Sequence, residues 1–195
     1  MKFSHIKLCL GSASPRRAEL LQQMDVSFEV GVANIDESIR KHEKAADYVM
    51  RMAIEKARRV WQINQGTALA GLPVLAADTA VVLDDWIMGK PADREQGVEM
   101  LNVLSGRTHE VLTSVSLLYG ERQISRLNRS EVTFASLREA DISRYWETGE
   151  PLDKAGAYAI QGKAAVFIEL LKGSYSGVMG LPLFEVGQLL EEMDI

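Results

Sequence analysis

Asp78 stands inside the apolar run "VLAADTAVVL" (74–83), where Thr79 is the one other polar residue. A carboxylate in such a run must be paired, protonated or metal-bound, because burying it alone is very costly. The structural alternative is exposure at a bulge or at a sheet's end, since Asp is disfavoured within strands. "NIDES" (34–38) adds Asp36 and Glu37. Glu37 and Asp78 together make a minimal oxygen-donor pair for a hard divalent cation such as Mg²⁺, which keeps waters and accepts phosphate oxygens. Read alone, "DES" is a solvated turn.

The cations come next. In "LCLGSASPRRAELL" (8–21) an apolar run stops at Gly11, and apolar residues return at helical spacing after Ser12, Ser14, Pro15, Arg16 and Arg17. A helix that begins here, with Ser14 as N-cap and Pro15 at the first helical position, offers free N–H groups and a partial positive charge to an anion. Ser12 and Ser14 add hydroxyls, and Arg16 and Arg17 add forks suited to phosphate. The same residues also fit a capped helix with solvated arginines. Each arginine then opposes the macrodipole by about 0.3–1 kcal/mol, a cost that a bound polyphosphate offsets. The stretch is neither a Walker A loop nor a GxGxxG motif.

Lys56 follows Tyr48 and Met52 at four-residue steps, so it falls on an apolar helix face, as a snorkelling lysine or as one aimed at phosphate. Lys90 lies in "MGKP". Gln161, beside Gly162 in "PLDKAGAYAIQG" (151–162), has an amide that can read a base edge or make a structural hydrogen bond. These cations and carboxylates suit hydrolysis of a metal-chelated triphosphate. Cations neutralise phosphate, the metal polarises phosphorus and leaving group, and a carboxylate activates water.

The elements that must hold these groups read as mixed α/β. Strands are predicted at 6–10, 26–34 and 72–85, the last ending in a turn at Asp84–Asp85. Residues 109–119 and 122–135 read as paired strands, and 157–171 as one or two more. Helices are predicted at 15–24, 45–64, 93–104, 138–148 and 182–193, with a capping-box pattern at Asp93 and Gln96. Residues 35–44 read as a polar loop and "GSYSGVMGLP" (173–182) as a glycine-rich surface or connection. Crossovers and hairpins together imply a mixed sheet.

Bulk properties narrow the classes. The formal net charge of −5 argues against a general nucleic-acid binder. No apolar run approaches the ~20 residues that span a bilayer, so no membrane partner is expected. The first residues faintly imitate a secretory signal, but Lys7 interrupts a stretch too short for one, and the segment is read as the first strand. Cys9 is the single cysteine, which excludes an intramolecular disulfide and fits a reducing cytoplasm. The three histidines are far apart in sequence and show no metal-ligand spacing.

The ordered set "SASPRR", "DES", "IEKA", "AADT", "GKP", "LSGRTHEV", "PLDKAGAYAIQG" and "GSYSGVMGLP" makes the sequence resemble the Maf family of nucleoside triphosphate pyrophosphatases over nearly its whole length. The resemblance implies a single ITPase-like α/β domain over 1–195, elongated, with two lobes around a central mixed β-sheet and a cleft between them. It implies a nucleoside triphosphate substrate, a divalent metal (Mg²⁺, Mn²⁺ or Co²⁺), release of pyrophosphate to leave a monophosphate, and a homodimer.

Residue by residue, Asp78 matches the family's proton acceptor, and Glu37 an acidic residue that helps hold metal or water, so that Glu37 and Asp78 are the expected metal donors. Ser12, Arg17, Lys56 and Lys90 match the residues of the triphosphate site. Arg16, Thr79 and Gln161 match the positions of substrate choice, and Arg, Thr and Gln there resemble the dTTP/UTP type. In the 7-methyl-GTP type the arginine position carries a tryptophan able to stack on a cationic base. The sequence departs from the family pattern at Gly11, where alanine is usual, at Asp85, where glycine is usual, and within "GSYSGVMG". Alternatives are 7-methyl-GTP or a deaminated purine triphosphate as substrate, or a nucleotide-sensing regulator of cell division without turnover.

Overall fold

Strand β1 (Lys7–Leu10) buries Leu8, Cys9 and Leu10 in the computed structural model, which describes residues 2–195. Its neighbour β2 (Ser27–Val30) runs parallel, in register from Lys7 opposite Ser27 to Leu10 opposite Val30. Parallel neighbours need a crossover, and α1 (Pro15–Gln22) supplies it. Strand β3 (Val74–Leu83) lies on the other side of β1, also parallel, with Cys9 opposite Val74. It is buried along nearly its whole length, which is why it reads as an almost unbroken apolar run.

Helix α2 (Ala45–Asn64) buries Val49, Met52, Ala53, Ala57, Val60 and Asn64, a stripe with three- and four-residue steps. Full burial of each larger apolar member contributes roughly 1.5–3 kcal/mol. Beyond Leu83 the chain turns at Asp84–Asp85 into β4 (Trp86–Met88), antiparallel to β3 with Leu83 opposite Trp86. Asp84 takes the left-handed conformation of this turn (φ 54°), which Asp tolerates better than most residues. The turn expected at Asp84–Asp85 is present, whereas β4 beyond it is not foreseen from the sequence, its three residues being too few to show alternation.

Helix α3 (Arg94–Leu104) opens as the capping pattern predicts. Asp93 accepts a hydrogen bond from the Gln96 N–H at 2.9 Å, and the Gln96 side chain accepts one from the Ala92 N–H at 2.7 Å. Then follow β5 (Thr108–Tyr119), its neighbour β6 (Arg122–Phe134), α4 (Glu139–Glu147), β7 (Ile168–Lys172), α5 (Tyr175–Met179) and α6 (Leu183–Met193). Strand β7 is antiparallel to β6. Among the described residues the seven strands make one mixed sheet, ordered β2-β1-β3-β5-β6-β7 with β4 on β3.

The segment 157–167 is not a strand. Gly156 (φ 65°) and Ala157 (φ 59°) break the extension, and Lys163–Phe167 coils into a 3-10 turn before β7 begins. The glycine-rich segment 173–182 holds the short helix α5.

The chain divides into two compact units. The first comprises residues up to Asp78, Thr113–Asn128 and Gly180–Ile195, and the second Thr79–Leu112 and Arg129–Met179. Within the first, Cys9, Ala57, Val60, Val74, Ala76 and Leu118 form a buried cluster. Within the second, Met88, Met100, Leu101 and Leu104 pack with edge-on aromatics, among them Phe134 and Tyr158 with centroids 4.8 Å apart. Among the described residues no helix is long and apolar enough to cross a membrane.

Candidate active site

Asp78 closes the first unit's part of β3 and is 8% exposed. Its Oδ1 lies 2.6 Å from Lys56 Nζ, which reaches it from α2. The same ammonium lies 2.8 Å from Oε1 of Glu37, in the loop before α2. One cation is thus shared by two carboxylates, one buried and one exposed. Burial raises the Asp78 carboxyl above its ordinary value; the charge and hydrogen bond of Lys56 and the charge of Arg17 pull it back, and Glu37 adds to the rise.

The loop that carries Glu37 is tied to α2 by Tyr48 and by Arg51, of which the sequence reading did not single out Arg51. The Tyr48 hydroxyl donates to the Glu37 carbonyl at 3.1 Å. Arg51 donates to the Ser38 carbonyl at 2.9 Å and grips Glu43 through two bonds, Nε at 2.6 Å and Nη2 at 2.7 Å. Its hydrogen bonds hold the Glu43 carboxyl down at about 2. The Asp36 side chain accepts from the Ser38 N–H at 2.9 Å, closing a local turn that leaves Glu37 between anchored neighbours. Burial, then the charges of Asp78 and Glu37, push the Tyr48 phenol up to about 12.

Arg17 leaves α1 and turns back. Its Nε donates to the Gly180 carbonyl at 2.8 Å, just ahead of α6, and its Nη1 donates to Ser12 Oγ at 3.2 Å. Ser12 Oγ also accepts from the Ser14 N–H at 3.2 Å. Ser14 holds the N-cap backbone position predicted for it, but its side chain makes no capping bond. Burial lowers the Arg17 pKa, while the charge of Asp78 works in the opposite direction. Arg16 lies half-buried on α1. Gly11 donates to the Leu75 carbonyl at 2.7 Å, and a Cβ there would come within 3.2 Å of Ala76 Cβ, so the glycine suits the close approach of the strand end to β3.

The first unit therefore brings together Asp78, Lys56, Glu37, Arg17 and Ser12. A family model described as Maf-like protein matches residues 7–193. The chain belongs to the Maf family. It is 53% identical over 187 residues to the "dTTP/UTP pyrophosphatase" of Alkalilimnicola ehrlichii, covering 95% of this chain and 92% of that one. It is 49% identical to the protein of the same name from Methylococcus capsulatus, covering 100% and 95%. It is 46% identical to the "Nucleoside triphosphate pyrophosphatase" of Haemophilus ducreyi, covering 98% and 97%. Among solved structures, the Staphylococcus aureus Ham1 protein superposes with a TM-score of 0.53 at 10% identity, covering 96% of this chain and 98% of that chain. That likeness is one of fold, the mixed α/β arrangement expected.

The second unit of this Maf chain carries the remaining predicted residues. Thr79 follows Asp78 along β3 and is half-buried. Lys90 is exposed beyond β4, beside Gly89, whose carbonyl accepts from the Gly156 N–H at 3.1 Å. Gln161 is exposed on the turn before Lys163–Phe167.

Among the described residues of this Maf protein, no three His, Cys, Asp or Glu side chains converge as a ready metal cage. The pair Asp78 and Glu37 nonetheless fits a Mg²⁺-like cation, which is held by one or two carboxylates with water and phosphate oxygens completing the shell. Both already converge on a cation, the Lys56 ammonium.

Proposed function

We propose that this chain hydrolyses nucleoside triphosphates to a monophosphate and pyrophosphate, with dTTP and UTP preferred. The observation that carries the reading is Asp78: a buried carboxylate, kept beside the Lys56 ammonium, on a strand otherwise made of apolar side chains and Thr79. Relatives at 46–53% identity that bear the pyrophosphatase name support the reaction class.

In this reading a water oxygen attacks the α-phosphorus, the bond to the bridging oxygen of the β-phosphate breaks, and pyrophosphate leaves. Asp78 takes the proton of the attacking water. Burial makes its carboxylate more basic than an exposed one, which favours proton acceptance. Lys56 orients that carboxylate and meets phosphate charge. Arg17, Ser12 and Lys90 bind phosphate oxygens. Arg16, Thr79 and Gln161 select the base. Asp78 and Glu37 would hold the divalent cation, which when bound neutralises phosphate charge.

Pyrophosphate release from a panel of nucleoside triphosphates with Mg²⁺, Mn²⁺ or Co²⁺ tests the proposal. Selective turnover of dTTP and UTP that disappears in Asp78→Asn is the expected result. Turnover of 7-methyl-GTP in their place overturns the base preference, and a fully active Asp78→Asn protein overturns the mechanism. Tight binding of nucleotide with no pyrophosphate in any metal replaces the enzyme by a sensor.

A further inference from the structure

Gln161 sits on a turn held from behind by one carboxylate. Glu150 Oε2 accepts from the Lys163 N–H at 3.0 Å, and Oε1 from the Ala164 N–H at 3.4 Å and the Tyr145 hydroxyl at 2.8 Å. The Tyr145 oxygen in turn accepts from the Ala159 N–H at 3.2 Å. The Glu150–Tyr145 pair therefore grips the backbone on both sides of Gln161: two residues before it, and two and three residues after it. Gly162 completes the fit. Its φ of −104° suits any residue, but a Cβ there would lie 2.4 Å from both Glu150 oxygens, so only glycine lets the turn settle on the carboxylate. Burial works against the charged form of Glu150, yet the Lys163 N–H, the Tyr145 hydroxyl and the Ala164 N–H outweigh it and keep the carboxyl below its ordinary value.

We propose that Glu150, acting with Tyr145 and Gly162, is a positioning residue that fixes the Gln161 amide and so sets the preference among nucleotide bases. The inference rests on the reading of Gln161 as a base-contacting residue. An amide discriminates through directed hydrogen bonds, and a small displacement of its backbone weakens them while leaving the phosphate chemistry in place.

The test compares kcat and KM for UTP, dTTP, CTP and GTP in wild type, Glu150→Ala, Glu150→Gln, Tyr145→Phe, Gly162→Ala and Gln161→Ala. Glu150→Ala is expected to raise KM for UTP and dTTP about tenfold, with kcat changed less than about threefold, and to narrow the preference over CTP. Gly162→Ala should do the same although Glu150 is retained, and Glu150→Gln should recover most of the loss because it keeps an acceptor. Tyr145→Phe, which loses a single hydroxyl, serves if Glu150→Ala does not fold. Unchanged KM and preference in Tyr145→Phe and Gly162→Ala overturn the proposal, as does an equal loss for every nucleotide. If wild type and Gln161→Ala show the same base preference, the reading of Gln161 fails and the clamp loses its role with it.

Discussion

Lys56 and Asp78 meet at 2.6 Å although 22 residues of chain separate them, and the ammonium that completes this pair also reaches Glu37. The lysine comes from a helix face and the aspartate from a buried strand, so the pair joins α2 to β3 through a partly buried ion contact. Removing the lysine leaves the buried Asp78 carboxylate without its ion-pair partner.

Lys56→Met should therefore cost about 3 kcal/mol or more in unfolding free energy at neutral pH. It should also raise the Asp78 carboxyl further, because the charge and hydrogen bond that now oppose burial are gone. An Asp whose folded pKa is raised stabilises the fold below its unfolded value and loses that contribution as pH rises. The variant should thus lose stability with rising pH, and the acid limb of any remaining kcat/KM profile should move to higher pH. Urea unfolding and pH–rate measurements check both; an unmoved acid limb counts against Asp78 as the proton acceptor.

Arg51→Leu should free the Glu37 loop from α2. The Arg51 side chain is 12% exposed and the Glu43 side chain 9%, so the lost charged hydrogen bonds cost about 2 kcal/mol. Amide exchange at residues 36–43 should quicken, and kcat/KM should fall about tenfold as Glu37 loses its place. Arg40→Ala is the contrast, since its arginine side chain in the pair with Glu55 is 65% exposed and should change stability by no more than about 0.5 kcal/mol. Equal effects from the two variants would contradict this account.

His109 predicts acid sensitivity. It is 2% exposed, with Nε2 2.8 Å from the Tyr158 hydroxyl and Nδ1 buried without a partner. Burial lowers its pKa from 6.5 to about 4. Between those values the unfolded chain binds a proton that the folded chain does not, so its contribution is whole above pH 6.5 and falls as pH drops toward 4. The loss amounts to up to about 3 kcal/mol. His109→Gln should remove this part of the pH dependence, so the stability gap between wild type and variant should shrink from about pH 7.5 to about pH 5. A constant gap would mean that the imidazole titrates in the folded protein as it does in the unfolded chain.

Much of the architecture was legible because it rests on short-range order. The stripe of α2, the buried run of β3, the capping pattern at Asp93 and the pairing of β5 with β6 follow from periodicity and turn chemistry within one or two elements. The elements misread were those too short for a period, β4 and the 3-10 turn at Lys163–Phe167.

The sequence by itself determined that a carboxylate lies in an apolar strand and that two arginines fall in the first turn of a helix, because strand, helix start and residue type are all read from short-range spacing. Only the tertiary structure decided who meets whom. Arg17 bonds to Gly180 across 163 residues, Arg51 rather than a loop residue anchors the Glu37 segment, and Glu150 underlies the turn of Gln161. The physical reason is range. Propensity and periodicity act over a few residues, whereas a side chain's partner across the fold depends on how elements pack, and that depends on every side chain between them at once.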